Sequence, residues 1–501
     1  PNRSLQNTIT YLLDNKTYVR PKDIAKTAIS LLKFEPILKK QLERKKVNES
    51  IQNLLEDISE LNKLPLLIKL MGICPVPDLE LEKLFTYLRR QILQNISFFN
   101  GLRHDLLRFQ SALALQCFTN EYIYQQTKHE ETALEALEKV VDLCFKNNQQ
   151  PSSHIILVLA SYKALNEYQW CGLLAANKEI KEVFVRQVEE PQKENDLKPK
   201  IFKLDRITDN VSSKVRDQYE ANPYPRWVNL RLPLKPASIS DVVEEFNLRL
   251  PKKKVSYIDK PNILIAGCGT GQQSIFTAAR FKSSKVLAID ISLSSLAYAK
   301  RKTDDFGINN IDYMQADILD FDQVKQDFDI IECGGVLHHM ANPLTGWKIL
   351  TDHLKPSGLM RIGLYSELAR DHIIKARREI DELYIGESEP EIKHFREILI
   401  NSNENHHKLI KNSGDFYSLS SIKDLLFHVQ EHRFTIPQIN DCLDKLKLKF
   451  CGFQEGKIVS KFKQTHTHQD DPYDLGKWHK FEEANPQTFV GMYQFWCQKI
   501  S

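Results

Sequence analysis

Asn262-Ile-Leu-Ile-Ala-Gly-Cys-Gly-Thr-Gly271 is a short apolar run that breaks into three alternating glycines, and Val286-Leu-Ala-Ile-Asp290 is a second run that stops on an acid. This is how a doubly wound α/β sheet builds a nucleotide-binding crevice at its strand ends. The glycine spacing narrows the ligand. A dinucleotide fingerprint G-x-G-x-x-G needs its third glycine at position 272, and that residue is Gln272.

The alternation continues downstream. Strands are expected at 263–266, 286–289, 311–314, 328–333 and 358–365, with helices at 273–281, 293–302 and 343–354 between them. Strands this apolar on both faces, separated by helices, indicate a buried parallel sheet. At 501 residues the chain exceeds one comfortable core, and two to four domains are expected.

Residues 1–187 read as helix after helix. Apolar residues recur at three- and four-residue intervals in Ile24, Ala28, Leu31 and Leu32, in Ile51, Leu54, Leu55, Ile58 and Leu61, and in Leu134, Leu137, Val140 and Val141. Pro21, Pro65, Pro75, Pro77 and Pro151 punctuate them, without a fixed repeat. Residues 188–204, including the polar run Glu189–Lys200, read as a linker. The sheet domain is assigned to 205–370 and a mainly helical domain, with an aromatic tail (Trp478, Phe481, Phe489, Tyr493, Phe495, Trp496), to 371–501.

The 69 basic and 65 acidic residues nearly cancel to a net charge of +4, and no long basic block points to nucleic acid. Nine cysteines without C-x-x-C pairs fit reduced thiols in a cytoplasmic compartment rather than a disulfide framework or a zinc ribbon. No run of about 18 apolar residues suggests a membrane span, and no signal peptide is visible from Pro1 onward.

The spacing Gly267, Gly269, Gly271 resembles the first motif of class I S-adenosylmethionine-dependent methyltransferases. That resemblance implies a Rossmann-like sheet, S-adenosylmethionine as cofactor and S-adenosylhomocysteine as product. The glycines let backbone amides approach a ligand, and the helix beginning near Gln272 aims its free N–H groups at it, here the methionyl carboxylate. Asp290 offers a carboxylate to two vicinal ribose hydroxyls. The resemblance places Asp317, at the end of the third strand, on the adenine amino group. It fills out the cofactor set with Cys268, Thr270, Ile291, Ile318 and Glu332. Glu332 closes the fourth strand beside Cys333-Gly-Gly335, next to where the methyl group should sit.

Asn222-Pro-Tyr-Pro225 is close to the Asn-Pro-Pro-Tyr signature of enzymes that methylate planar amino groups. That signature belongs after the fourth strand, where this chain has Glu332-Cys-Gly-Gly335, so the planar-amide reading falls. Residues 205–501 instead resemble a bacterial methyltransferase family that often carries a helical-repeat domain in front. The likeness rests on Gln218-Tyr-Glu-Ala-Asn-Pro-Tyr-Pro-Arg-Trp227, Gly363-Leu-Tyr-Ser366, Asp415-Phe-Tyr-Ser-Leu-Ser420, Asp424-Leu-Leu-Phe-His-Val-Gln-Glu-His432 and Asn485-Pro-Gln-Thr-Phe-Val-Gly-Met-Tyr-Gln-Phe-Trp496. Within it, the chain looks most like the rickettsial protein lysine methyltransferases that modify a surface outer-membrane protein. That implies a homodimer with an open central cavity for a protein substrate.

A lysine acceptor must lose a proton, and an apolar aromatic pocket beside a cationic sulfonium lowers its pKa, while aromatic faces tolerate cationic amines. Tyr219, Tyr224, Trp227, Tyr365 and Tyr417 are the candidate walls, and Glu332 and His338 the candidates to orient the amine or relay its proton. A small-molecule O- or C-methyltransferase and a non-catalytic cofactor-binding scaffold are the alternatives. His428-Val-Gln-Glu-His432 fits the zinc-peptidase pattern H-x-x-E-H on an expected amphipathic helix carrying Ile422, Leu425, Leu426 and Val429, but no further ligand set supports a metal, and none is expected.

Overall fold

The structure, a computed structural model, describes residues 2–43, 50–99, 104–204 and 207–500. Two compact units emerge: a helical unit of Pro1–Lys193, Arg226–Arg231 and Ile380–Leu425, and a sheet unit of Glu194–Pro225, Leu232–Glu379 and Leu426–Ser501. The start expected at residue 205 lies outside the described residues.

In the helical unit the expected helices form at Pro21–Leu32, Ile51–Leu61 and Lys128–Lys146, among others. Pro21, Pro36 and Pro65 sit at first helical positions, where the missing N–H costs nothing. In Lys128–Lys146, Leu134, Leu137 and Val141 are buried while Val140 is 43% exposed, so the apolar stripe runs one residue narrower than the sequence suggests. Arg396 is buried and donates to both carboxylate oxygens of Glu82 at 2.6 Å, which ties the later segment of this unit to the earlier one.

Among the described residues of the sheet unit, eight strands form one sheet: β1 (Phe202–Lys203), β2 (Asn262–Ala266), β3 (Lys285–Asp290), β4 (Ile311–Gln315), β5 (Phe328–Gly334), β6 (Leu354–Leu364), β7 (Leu448–Phe453) and β8 (Tyr493–Lys499). Their order is β1-β4-β3-β2-β5-β6-β8-β7. β8 runs antiparallel to both neighbours, and every other pair is parallel. The chain moves outward from β2 through β3 to β4 in one direction and through β5 to β6 in the other. The carboxyl ends of β2, β3 and β5 therefore flank a topological switch point, where such sheets hold ligands. Four helices frame that end: α1 (Asn210–Ala221), α2 (Gln272–Arg280), α3 (Leu293–Asp305) and α4 (Pro343–Asp352).

Two departures from the sequence reading stand out. The expected linker is helical over Glu190–Leu197, with a tight turn at Lys198–Lys200. Within the sheet unit Glu194 accepts from Arg301 of α3 at 2.8 Å, a tertiary ion pair that outweighs the segment's polar composition. The region expected as mainly helical also supplies β7 and β8. Its aromatic tail seals the antiparallel end of the sheet, with Phe462 stacked on Trp478 at 3.8 Å and Phe453 against Trp478, Phe489 and Phe495. No helix among the described residues is long and apolar enough to cross a membrane.

Candidate active site

The loop from Gly267 to Gly271 joins β2 to α2. Gly267, Gly269 and Gly271 all adopt positive φ, +71°, +51° and +87°. A Cβ on Gly267 would lie 2.2 Å from Val336 Cγ2, and one on Gly271 would lie 2.7 Å from the Cβ of Ala299 in α3, so neither position admits a side chain. Gly267 and Cys268 both donate their N–H to Ile289 O at 2.9 Å, which fastens the loop to β3. Burial pushes the Cys268 thiol well up, so it stays neutral.

Asp290 ends β3 and is 9% exposed. One carboxylate oxygen accepts from Gly269 N at 2.7 Å and the other from Ser292 N at 2.9 Å. Burial raises its pKa to about 6, against these bonds, which favour the anion. Each oxygen keeps a further lone pair, enough to accept from a diol.

Asp317 follows β4 and is 4% exposed. Its Oδ1 accepts from Leu319 N at 3.0 Å, whereas its Oδ2 is buried without a partner. An orphaned buried acceptor is costly, and it fits a ligand that brings an N–H donor, as an adenine amino group does. Ile318 is buried in the core behind it, and Ile291 follows Asp290 at half burial.

Glu332, near the end of β5, is 3% exposed. One of its oxygens accepts from Gln273 Nε2, from Thr277 Oγ1 at 3.2 Å and from Arg361 Nη1 at 3.1 Å. That ties β5 to α2 and β6.

The approach to the loop is covered from one side by α1 and the segment after it. Thr270 Oγ1 donates to Pro225 O, and a Cβ on Gly269 would lie 3.1 Å from Tyr224 O. Ser292 Oγ donates to Tyr219 O at 3.1 Å. Glu220 accepts from Leu293 N, Ser294 N and Ser294 Oγ, which caps α3 with a carboxylate from α1. Glu220 also helps hold the Asp290 pKa up.

Beyond the Gly334-Gly335 turn the rings gather. His338 is fully buried, packs tilted by 34° against Tyr365 with centroids 4.0 Å apart, and neither ring nitrogen has a protein partner. His339 stacks on His428 at 3.6 Å. Burial drives all three imidazoles toward the neutral form: His339 to about 4, His428 to about 2 and His338 well down. The Arg370 guanidinium lies 3.7 Å from the Tyr365 centroid and is bound by Glu431 at 3.0 and 2.6 Å.

Of the five candidate pocket residues, Tyr219, Tyr224 and Tyr365 thus belong to the sheet unit. Trp227 and Tyr417 are buried residues of the helical unit, with Tyr417 Oη donating to Lys411 O at 3.2 Å. The segment expected to carry H-x-x-E-H on a helix is irregular: the helix Leu419–Leu426 ends first. His428 Nδ1 accepts from Gln430 N, a local turn that competes with helix continuation, and Glu431 is spent on Arg370.

Residues 263–358 match the family described as Methyltransferase domain. Residues 263–358 are thus a methyltransferase domain of the class I kind, whose cofactor is S-adenosylmethionine. It is 29% identical to an uncharacterized protein of a Synechococcus strain over 237 residues, 45% of this chain and 56% of that one. It is 25% identical over 150 residues to a probable (S)-tetrahydroprotoberberine N-methyltransferase 2 of Papaver bracteatum, covering 30% of this chain and 41% of that one. The chain thus spans about half the length of these curated relatives. A solved structure of PKMT2 from Rickettsia typhi in complex with AdoHcy aligns with TM-score 0.39 and 16% identity, over 57% of this chain and 54% of that one.

The methyltransferase site fits its cofactor on the structure's own terms. The glycine loop stands where a side chain would intrude, Asp290 has lone pairs to spare, and Asp317 Oδ2 lacks the donor an adenine would bring. The sequence left Glu220, Gln273, Ser292, His339 and Arg361 unmarked, and offered His428 only as part of a zinc pattern. Glu220 stood in plain view beside Tyr219, but nothing local marks a carboxylate as the cap of a helix some seventy residues away.

Proposed function

We propose that this methyltransferase is a protein lysine N-methyltransferase, acting on a bacterial outer-membrane surface protein as a cytoplasmic homodimer. The observation that carries the reading is the ring-lined end of the sheet. Tyr219, Tyr365, His338, His339 and His428 gather there, and Arg370, the nearby cation over Tyr365, is neutralised by Glu431. Neutral rings favour an amine that arrives or leaves as a cation, and they favour its uncharged, nucleophilic form while it reacts.

In this reading the cofactor, when bound, supplies an electrophilic methyl group. The glycine loop and the N-terminus of α2 receive its carboxylate, Asp290 its ribose and Asp317 its adenine. Tyr219, Tyr224 and Tyr365 hold the acceptor nitrogen and keep water out. His338, a neutral ring with two unpaired nitrogens, is the group available to orient the amine by hydrogen bonding, and its burial disfavours keeping the proton. Glu332 acts through Gln273, which it orients toward the Gly334 turn, where a Cβ would come 3.2 Å from Gln273 Oε1.

A small-molecule acceptor is the second reading, favoured by relatives named as (S)-tetrahydroprotoberberine and (S)-coclaurine N-methyltransferases and as a ubiquinone biosynthesis O-methyltransferase. Radiolabelled methyl transfer into cell-envelope fractions, followed by mass spectrometry of the labelled species, separates the two. Label on lysine side chains supports the protein substrate. Label confined to lipid or metabolite fractions refutes it.

A further inference from the structure

His428 and Glu431 remain after the cofactor contacts have been assigned, and His428 is held from several directions. Gln430 N donates to His428 Nδ1 at 3.2 Å. The neutral ring therefore carries its proton on Nε2, and gives it to Tyr219 Oη at 3.1 Å. One ring face stacks on His339, whose Nδ1 donates to Gln430 O at 2.7 Å. Arg377 donates to His428 O at 2.6 Å, and Arg377 and Arg370 both face Glu431. The acid of the H-x-x-E-H pattern thus anchors the loop that carries its first histidine.

Tyr219 is fixed at its other end too. Its carbonyl accepts from Ser292, two residues beyond Asp290, and its neighbour Glu220 caps α3. The tyrosine therefore runs from the end of β3 to His428, and His428 in turn stacks on His339, which follows β5.

We propose that His428 is a positioning residue for methyl transfer: through its Nε2–H bond it holds Tyr219 across the cofactor crevice, so that bound cofactor is retained and the acceptor meets a fixed wall. This rests on the reading of Tyr219 as part of that wall, not on the acceptor being lysine. The neutral state that burial imposes on His428 makes the clamp insensitive to pH across the physiological range.

The test is a double-mutant cycle on the full chain with His428→Phe, Tyr219→Phe, the pair together, and His428→Gln, which keeps an N–H donor. S-adenosylhomocysteine affinity and release rate are read by calorimetry and stopped flow, with thermal melting as the folding control. Loss of one neutral hydrogen bond predicts about a fivefold faster release in each single variant. The double variant is expected to be no worse than either single one, and His428→Gln to recover most of the loss. Multiplying effects overturn the clamp, as does an unchanged His428→Phe beside a defective Tyr219→Phe; the latter leaves the wall reading standing. An unchanged Tyr219→Phe also overturns the clamp, because that variant loses the hydroxyl and keeps the ring; the wall reading itself falls if Tyr219→Ala is unchanged. A His428→Phe variant that melts early yet releases the ligand at the native rate marks a role in folding alone, and also overturns the proposal.

Discussion

Replacing Gly267 with alanine should damage cofactor binding through a clash that can be located and relieved. The new Cβ would lie 2.2 Å from Val336 Cγ2 and 2.9 Å from Val336 Cγ1, and the backbone φ of +71° is one that L-residues resist. The left-handed conformation costs about 1–2 kcal/mol and the overpacking a further 1–3 kcal/mol. The loop is tied to β3 through Ile289 O, so it can relieve the contact only by moving away from the crevice or by pushing Val336 and the Gly334-Gly335 turn. If half of that energy appears in binding, S-adenosylhomocysteine affinity falls by about fivefold to seventyfold. Calorimetry on Gly267→Ala, Val336→Ala and the double variant tests this. Val336→Ala removes both clashing methyls, so the double variant should regain the steric share of the loss and keep the backbone share. Native affinity in Gly267→Ala would refute the reasoning, and so would a double variant no better than the single one.

Asp290→Asn should weaken cofactor binding by removing the anion that accepts from the ribose. In the native protein, affinity should fall as the pH drops through about 6, the value to which burial raises Asp290, and the Asn variant should lose that pH dependence in a calorimetric titration. Stability has the opposite sign. The folded state holds this proton more tightly than the unfolded chain, so the group disfavours folding above about pH 6, and that penalty fades as the pH falls toward the ordinary carboxylate range. Asp317→Ala should cost about tenfold in affinity for the adenosyl cofactor and nothing for an inosyl analogue, measured by competition. In the helical unit, Glu82→Leu strands the buried Arg396 and should cost about 3–5 kcal/mol in chemical denaturation. Glu82→Leu with Arg396→Met should restore most of that.

The parallel strands and the glycine loop were legible because β2, β3 and β5 are apolar runs that stop at a glycine or an acid, a signal carried by adjacent residues. Asp290 and Asp317 were legible for the same reason, being the first acids after their strands. What could not be read depends on distant partners. Glu190–Leu197 is helical although its composition reads as a linker, and Glu194 is fixed by Arg301. β8 carries Tyr493, Phe495 and Trp496, residues that read equally well as a helix face until β6 and β7 supply hydrogen bonds on both sides. The spacing of His428 and His432 suits a helix, yet the His428 ring captures the amide two residues on and turns the chain instead.

The insertion of β8 between β6 and β7 has a consequence for how the protein is made. β6 is paired with β5 on one side only until residues 493–499 exist, so residues 365–492 must all be synthesised while the edge from Leu359 to Leu364 offers unpaired N–H and C=O groups. An open, apolar strand edge recruits other chains. Slow translation through this stretch is therefore the period of greatest aggregation risk, and a truncated chain lacking β8 should pellet where the full chain stays dispersed.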